Sequence, residues 1–150
     1  MAEINGISYN RYTPQDHAGL NRDEVLDFLF KHLDEYGDKR EDIAKCMDYA
    51  LSSAEGKGGS VLVAREKNEV VGALILNNTG MNGYIPENIL VYVAVHGRTR
   101  GKGVGKNLVQ MAIDHTQGSI ALHVEPQNPA RHLYEKLGFS NKYLEYRLMR

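Results

Sequence analysis

The chain has little of several features that would place it in a specialised class of protein. It holds one cysteine among 150 residues, which excludes a disulfide framework and any zinc site built on cysteine pairs. No apolar run approaches the roughly 20 residues of a membrane-spanning helix, and the N-terminal stretch shows no apolar signal-peptide core. No repeat, low-complexity segment or basic stripe interleaved with aromatics is present. We therefore expect one soluble, cytoplasmic domain over residues 1–150, without a membrane or nucleic-acid partner.

Composition and charge agree with a globular domain. Hydrophobic residues make up 42% and charged residues 25% of the chain, both near the globular average. A chain of this length buries roughly two-thirds of its unfolded surface. The net charge of −1 divides unevenly, because residues 1–95 carry a balance of −6 and residues 96–150 a balance of +5. This asymmetry indicates two differently charged ligands in one domain, unless surface charges are merely scattered unevenly.

Hydrophobic periodicity predicts alternating strands and helices. The predicted strands are residues 6–12, 60–66, 70–76, 89–95, 120–124 and 143–149, with a hairpin turn at 67–69. Predicted helices follow the capping-box start at Asn21, surround residues 43–51, and cover 103–116 and 128–137, the last capped by Asn128. This order predicts an α+β (layered α/β) fold: a central mixed, mostly antiparallel sheet of six to seven strands flanked by about four helices.

The most informative segment, residues 98–106, directly follows the apolar strand 89–95 and opens a helix. Glycine occupies every second position from 101 to 105, which removes side chains that would keep a ligand from the backbone amides. The first amides of a helix lack partners and carry the positive end of its dipole. Four basic residues accompany them: Arg98, Arg100, Lys102 and Lys106. The segment predicts a site for a phosphorylated anion; the alternative is a glycine-rich turn with solvated basic side chains.

Two common phosphate-binding motifs do not fit this segment. The nucleotide P-loop requires Ser or Thr after its Gly-Lys pair, but Asn107 follows Lys106 here. The dinucleotide fingerprint G-x-G-x-x-G fails because Lys106 stands where the third glycine is needed.

Two motifs resemble those of the GNAT (Gcn5-related) N-acetyltransferase family. Residues 100–105 (RGKGVG) match its Arg/Gln-x-x-Gly-x-Gly/Ala signature, and residues 130–139 (ARHLYEKLGF) are similar to its A-x-x-L-Y-E-K-L-G-F motif. The family's frequent Asn three places before the motif alanine would fall on Gln127, whereas Asn128 stands one place later. The resemblance covers nearly the whole chain and implies a GNAT-like acyl-CoA N-acyltransferase fold and activity.

The resemblance implies acetyl-CoA as the acetyl donor, no metal, and a small-molecule or peptide amine as the acceptor, attacked directly in a ternary complex. The residues that it implies for acetyl-CoA binding are Val93, Ala94, Val95, Arg100, Gly101, Lys102, Gly103, Val104, Gly105, Lys106, Asn128 and Tyr134. Backbone N–H near Val93 would donate to the thioester carbonyl. Tyr134 would act as general acid toward the departing thiolate, since a phenol keeps its proton at neutral pH; its alternative role is core packing.

The general base is less defined. Glu87, just before strand 89–95, is the predicted catalytic base, while Glu125, His123 and a water chain ending on Tyr92 remain open. The resemblance implies that the acidic turn at residues 34–38 contacts the acceptor, which would suit a cationic amine; the alternative is a solvated turn at the end of a helix.

Other candidates lack a motif. Cys46 is interpreted as a small buried residue, and the six histidines show no metal-ligand spacing. A catalytically silent CoA-binding or sensing domain and a different phosphate-ligand enzyme are the alternative functions, and a homodimer is possible because dimers are common in the family.

Overall fold

A single six-stranded sheet organises the computed structural model, which describes residues 2–150. Its strands are β1 (Ala2–Ile4), β2 (Ile7–Tyr12), β3 (Gly59–Glu66), β4 (Glu69–Asn78), β5 (Asn88–Val95) and β6 (Ile120–Leu122). Its helices are α1 (Arg22–Leu33), α2 (Arg40–Ala50), α3 (Val104–Asp114) and α4 (Ala130–Lys136), with short 3-10 turns at Asp34–Tyr36 and Gly97–Thr99. Strands lie in chain order; β1 to β5 pair antiparallel and β5 to β6 parallel. The predicted fold class is confirmed.

Helices α1 and α2 cover one face of the sheet. Asn21 caps α1 as predicted, because its side-chain oxygen accepts a hydrogen bond of 3.2 Å from the Glu24 amide. The periodic apolar residues of both helices pack with β3, β4 and β5 in one core cluster: Val25, Leu26, Leu29, Leu33, Ile43, Met47 and Ala50. In the described part of the chain, no helix is long and apolar enough to cross a membrane.

Helix α3 packs on the opposite face against β4. Gly72 makes this approach possible, because a Cβ atom there would lie 2.7 Å from Val104 Cγ1 and 2.9 Å from Leu108 Cδ1. The β3–β4 hairpin turns at Lys67 and Asn68, both with positive φ, as the sequence indicates. Tight packing on β4 therefore fixes the start of α3, directly after the glycine-rich loop.

The predicted C-terminal strand is wrong for this structure. Residues 143–149 form no strand and pair with no strand among residues 2–150. Strand β6 also differs from the prediction: it ends at Leu122 rather than residue 124, and its three residues are half-buried rather than buried. The sheet thus has six strands, the lower end of the predicted range.

Candidate active site

Strand β5 has a free edge over its second half. Strand β4 accompanies β5 as far as Val95, but β6 pairs only with its first three residues, Asn88 to Leu90. From position 91 onward, no described strand occupies the β6 side of β5. A substrate arm lying along this strand requires such an opening.

A β-bulge marks the point where the opening begins. Ile75 of β4 faces Tyr92, whereas the next residue, Leu76, faces Leu90, so Val91 is an extra residue in β5. Bulges bend and twist a strand and often lie beside active sites. Here the bulge coincides with the last β5–β6 pair, which separates the two strands from that level onward.

The free edge presents backbone groups at the predicted position. The His96 amide donates a hydrogen bond of 2.8 Å to Val71 O across the β4–β5 ladder. Antiparallel ladders alternate between residues that bond to the partner and residues that point away. The N–H and C=O groups of Val93 and Val95 therefore point to the open side of β5.

The glycine-rich loop exposes five backbone amides. Among residues 101–106, only the Lys102 amide has a hydrogen-bond acceptor within the described chain, Thr99 O at 3.1 Å. Gly101 and Gly103 have φ values of +86° and +76°, in the left-handed region that glycine adopts without strain. A Cβ atom at Gly101 would meet nothing within 4 Å. The side of Gly101 where a Cβ atom would lie is therefore open, and unpartnered amides at the start of α3 suit a diphosphate.

The four basic side chains of this segment divide into two pairs. Arg98 contacts Glu69 at 3.2 Å, and Lys102 Nζ lies 2.8 Å from Glu66, so both are held by the β3–β4 hairpin. The hydrogen bond from Lys102 lowers the pKa of Glu66. Arg100 and Lys106 are exposed and form no ion pair with a described residue. Their charges are available to an anion at the loop.

Helix α4 meets the loop and the free edge at one point. A Cβ atom at Gly105 would lie 3.4 Å from Val95 Cγ2 of β5 and 3.5 Å from Leu133 Cδ2 of α4. The predicted loop, strand and α4 residues are therefore neighbours in space, although 24 residues lie between the two motifs in sequence.

Tyr134 lies on α4 with 7% of its surface exposed and packs edge-to-face against Phe139. Burial raises its pKa to about 12, so the phenol keeps its proton throughout the neutral range. No described residue forms a hydrogen bond with the hydroxyl, and it is not among the fully buried unpaired atoms. The geometry is compatible with both predicted roles, proton donation and packing.

Asn128 has a structural partner. Its side-chain oxygen accepts a hydrogen bond of 2.9 Å from the Ala130 amide at the start of α4. It thus performs the predicted helix capping, with Pro129 just before the first helical residue. Its contact with a donor molecule stays a prediction.

The structure separates Glu87 from the other predicted site residues. It precedes β5 at the end far from the glycine-rich loop, and the strand spans roughly 26 Å. Its carboxylate accepts hydrogen bonds from the amides of Ser119 (2.7 Å) and Gly83 (3.3 Å). These backbone contacts lower its pKa. Position and pKa both argue against the catalytic role predicted for Glu87.

Sequence analysis missed a contact between β5 and the segment that links α1 to α2. Tyr92 OH donates a hydrogen bond of 2.5 Å to Asp38 Oδ2. Burial, followed by the hydrogen bond to Asp38, raises the pKa of Tyr92 far above its usual value. Tyr92 therefore remains a neutral phenol, which argues against a proton path in which it acts as the base. Two sequence features could have indicated this contact: the acidic turn at residues 34–38 and a tyrosine within an otherwise apolar strand.

The same linker carries a tyrosine, Tyr36. Burial raises the pKa of Tyr36, and the charges of Glu35 and Glu125 raise it further. Tyr36 and Asp38 thus belong to the linker between α1 and α2, and Glu125 belongs to the segment that follows β6. His123, also on the β6 side, is exposed.

The remaining candidates carry no catalytic geometry. Cys46 is half-buried rather than buried as expected. Burial raises the pKa of its thiol to about 12, and Sγ accepts a hydrogen bond of 3.4 Å from Asn77, which suits an inert thiol. No group of His, Cys, Asp and Glu within residues 2–150 is arranged to hold a metal ion. A polar cavity of about 440 Å³, which includes Arg11 and Lys57, lies beside Asn88 at the far end of β5 and outside this site.

Comparison with known proteins identifies the family of this chain. The acetyltransferase (GNAT) domain family matches residues 57–141, more than half of the chain. The chain belongs to the GNAT family. It is 28% identical over 132 residues to glucosamine 6-phosphate N-acetyltransferase of Arabidopsis thaliana, covering 85% of this chain and 77% of that protein.

Solved GNAT structures share the fold. One chain of the NatC complex, solved with Gag peptide and CoA, is 20% identical with a TM-score of 0.70, over 91% of this chain and 86% of that one. Ribosomal-protein-alanine N-acetyltransferase from Brucella melitensis biovar Abortus 2308 is 19% identical with a TM-score of 0.63, over 96% and 99%. The family resemblance seen in the two motifs is confirmed.

Proposed function

We propose that this GNAT protein moves the acetyl group of acetyl-CoA to a primary amine by direct attack in a ternary complex. The observation that carries the proposal is the junction of five unpaired amides at residues 101–106 with the free edge of β5. The first feature suits a diphosphate and the second suits an extended amide-containing arm. Acetyl-CoA contains both groups in one molecule.

The loop would bind the diphosphate through its amides and the helix dipole of α3. Arg100 and Lys106 add charge that no described carboxylate neutralises. The arm of the donor would then run toward Val93, whose N–H points to the open side and can donate to the thioester carbonyl. A fixed donor at that position favours the transition state, where negative charge on this oxygen increases.

Tyr134 is the proposed general acid. It holds a proton at neutral pH, as a phenol does at its ordinary pKa of 10.0, and burial raises this pKa to about 12. Its helix contacts the loop and the end of β5 through Leu133. Proton donation to the sulfur would prevent the release of an unstable thiolate.

The amine would enter beside Tyr92 and Asp38, next to the free edge of β5. The negative charge of Asp38 would favour an ammonium group over a neutral ligand there. Glu125 and His123 remain the proposed candidates for the base, while Glu87 is set aside for the reasons above. The Arabidopsis relative is named for an amino-sugar phosphate and the NatC structure contains a peptide, so both acceptor types belong in the first screen.

The decisive experiment measures release of the free CoA thiol from acetyl-CoA with a panel of amines: glucosamine 6-phosphate, a peptide with a free N-terminus and a polyamine. We expect release above background hydrolysis with at least one acceptor. Saturable binding of acetyl-CoA with no acceptor-dependent release would instead support the silent CoA-binding domain.

Calorimetry tests whether acetyl-CoA is the bound donor, independently of whether the protein catalyses acetyl transfer. Acetyl-CoA should bind, and ATP and NAD should not compete at comparable concentration. Tight binding of either nucleotide without binding of acetyl-CoA would contradict the proposal and favour a different phosphate-ligand enzyme.

A further inference from the structure

The polar cavity of about 440 Å³ lies where helix α3 ends. Residues 115–117, directly after α3, form one of its sides, and residues of strands β2 to β5 form its floor. Beside α3, this face of the sheet carries core leucines: Leu62, Leu74 and Leu90. Two positions further along β3 and β5, the alternation of side chains places Ser60 and Asn88 on the same face, and both line the cavity. The face of the sheet therefore changes from apolar to polar at the point where the helix no longer covers it.

Two polar side chains of this floor are buried without a full set of partners. Ser60 is 1% exposed, and its hydroxyl forms no hydrogen bond with a described residue. Asn88 is 3% exposed, and its Nδ2 donates to Gln117 O at 2.7 Å and to Ser119 O at 3.2 Å. Because both partners are carbonyl oxygens, the orientation of the amide is fixed, and Asn88 Oδ1 remains an acceptor that no described residue uses. Buried polar groups in native proteins are normally hydrogen-bonded, so these two atoms indicate a ligand in the cavity.

The rim of the cavity is basic. Arg11 and Lys57 line it, and neither forms an ion pair with a described carboxylate. No aspartate or glutamate is among the described residues that line the cavity. Arg11 donates one hydrogen bond of 3.3 Å to His115 O, which satisfies a carbonyl at the end of α3 and leaves other guanidinium N–H groups free. Two positive charges therefore border the cavity without a negative partner.

We propose that this cavity is a second ligand site, separate from the acetyl-CoA site, which binds a small anion that also carries hydroxyl groups. The anionic group pairs with Arg11 and Lys57, since charge-assisted hydrogen bonds are the strong ones. A ligand hydroxyl donates to Asn88 Oδ1, and a second one exchanges a hydrogen bond with Ser60. An anion without hydroxyl groups leaves both floor residues unpaired and therefore binds less tightly.

Size and position both support a separate site. The cavity volume of about 440 Å³ is within the range of small-molecule sites. Asn88 begins β5 and the glycine-rich loop follows the other end of this strand, which spans roughly 26 Å. One small molecule therefore cannot occupy both places, and the cavity can be tested independently of acetyl-CoA.

Titration calorimetry of the full chain with four probes tests the class of ligand. Glycerol 3-phosphate and glycerate each combine an anionic group with hydroxyl groups, whereas inorganic sulfate supplies only the anion and glycerol only the hydroxyl groups. We expect one saturable site for glycerol 3-phosphate or glycerate, with at least tenfold weaker binding of sulfate and glycerol. The tighter of the first two probes tells a phosphate ligand from a carboxylate ligand. Binding of none of the four at millimolar concentration, or equal binding of sulfate, would overturn the proposal.

Charge variants test whether the probe occupies this cavity. Arg11→Gln/Lys57→Gln removes both charges of the rim and should weaken binding at least tenfold. Lys45→Gln, at an exposed position of α2 outside the cavity, is the matched control and should bind like the wild type. Arg100→Gln/Lys106→Gln, at the glycine-rich loop, should also bind like the wild type. Loss of binding in R100Q/K106Q, or full binding in R11Q/K57Q, would mean that the probe binds elsewhere and would refute the site.

Ser60→Ala keeps the test decisive if R11Q/K57Q is unfolded, since Arg11 also holds the end of α3. The variant removes a buried hydroxyl without a partner, so the melting temperature of the free protein should stay the same or rise. Its affinity for the bound probe should fall about fivefold, the effect of one lost hydrogen bond. A lower melting temperature with unchanged affinity would show that Ser60 is only structural and would contradict the proposal.

Two-dimensional NMR locates the bound probe without any substitution. The backbone amide signals of Ser60, Asn88 and Gln117 should shift as the probe is added, and those of residues 101–106 should not. Shifts confined to residues 101–106 would assign the anion to the glycine-rich loop and overturn the second site.

Discussion

The Tyr92 hydroxyl donates a hydrogen bond of 2.5 Å to Asp38 and thereby ties β5 to the linker between α1 and α2. Tyr92 directly follows the extra residue of the bulge and precedes Val93, whose backbone faces the free edge. The contact therefore connects the proposed amine entrance to the strand that would hold the thioester. Because the phenol stays protonated, its contribution is to position Asp38 and the linker.

Replacing Tyr92 by Phe should affect the acceptor more than the donor. The change removes a hydrogen bond to a charged group, a contact that contributes roughly 1.5–3 kcal/mol. We expect the KM of the acceptor to rise about tenfold while the Kd of acetyl-CoA changes less than twofold. Tyr84→Phe, at an exposed position, is the control. Steady-state kinetics and calorimetry measure both values, and a selective loss of donor affinity would contradict the assignment.

The two pairs of basic residues at the glycine-rich loop should contribute unequally to the affinity for acetyl-CoA. Arg100→Gln and Lys106→Gln should each weaken acetyl-CoA binding by roughly five- to tenfold, as expected for loss of a charged phosphate contact. Lys102→Gln should weaken it less, because Glu66 already holds the Lys102 ammonium at 2.8 Å.

Acetyl-pantetheine, which lacks the diphosphate, provides the matched ligand control for these variants. Its affinity should be the same for all three variants and the wild type. Calorimetry at two salt concentrations should also show a smaller salt dependence for R100Q and K106Q. An equal loss with acetyl-pantetheine would mean that the substitutions distort the loop.

Sequence alone predicted most of the fold, because local signals determine it. Asn21 capping, the hairpin at 67–69 and the apolar pattern of β5 depend on neighbours in the chain. The bulge at Val91 and the early end of the β5–β6 pairing could not be predicted, since both depend on register between distant strands. For the same reason, the alternating pattern at 143–149 predicted a strand that does not form in the described chain.

The site residues also fall into two groups: those that a local motif predicts and those whose contacts depend on distant parts of the chain. The loop and α4 carry motifs, so their residues could be named in advance. Glu87 was chosen for its place before a strand, but its two amide partners come from distant loops, which no local pattern reveals. The Tyr92–Asp38 contact spans 54 positions in sequence and was missed for that reason.

Glu87→Gln should reduce stability and leave kcat unchanged. The variant loses the negative charge that accepts hydrogen bonds from Ser119 and Gly83, so its melting temperature should fall. Because the folded-state pKa is lowered, the carboxylate stabilises the wild type above its unfolded pKa, and this gain disappears as pH falls through the folded value. The melting-temperature gap between wild type and variant should therefore narrow in acid. Glu55→Gln in an exposed loop is the control, and a large loss of kcat in E87Q would restore the catalytic assignment.

Tyr134→Phe should lower kcat by roughly 10²–10⁴, the range for loss of a general acid. The Kd of acetyl-CoA should change little, because the ring and its packing on Phe139 remain. Single-turnover kinetics at saturating donor and acceptor measures the chemical step directly. If kcat is unaltered, Tyr134 only packs in the core.

The raised pKa of Tyr134 also predicts how stability depends on alkaline pH. The folded-state pKa is about 12 against an ordinary value of 10.0, so the folded chain binds more protons than the unfolded chain between these values. Stability must then fall as pH rises from 10 to 12, by roughly 2–3 kcal/mol from this residue. Urea unfolding of wild type and Tyr134→Phe at pH 8, 10 and 11 measures the difference, which should shrink or reverse at high pH because Phe has no proton to lose. Parallel pH curves for the two proteins would show that burial does not raise the pKa of Tyr134.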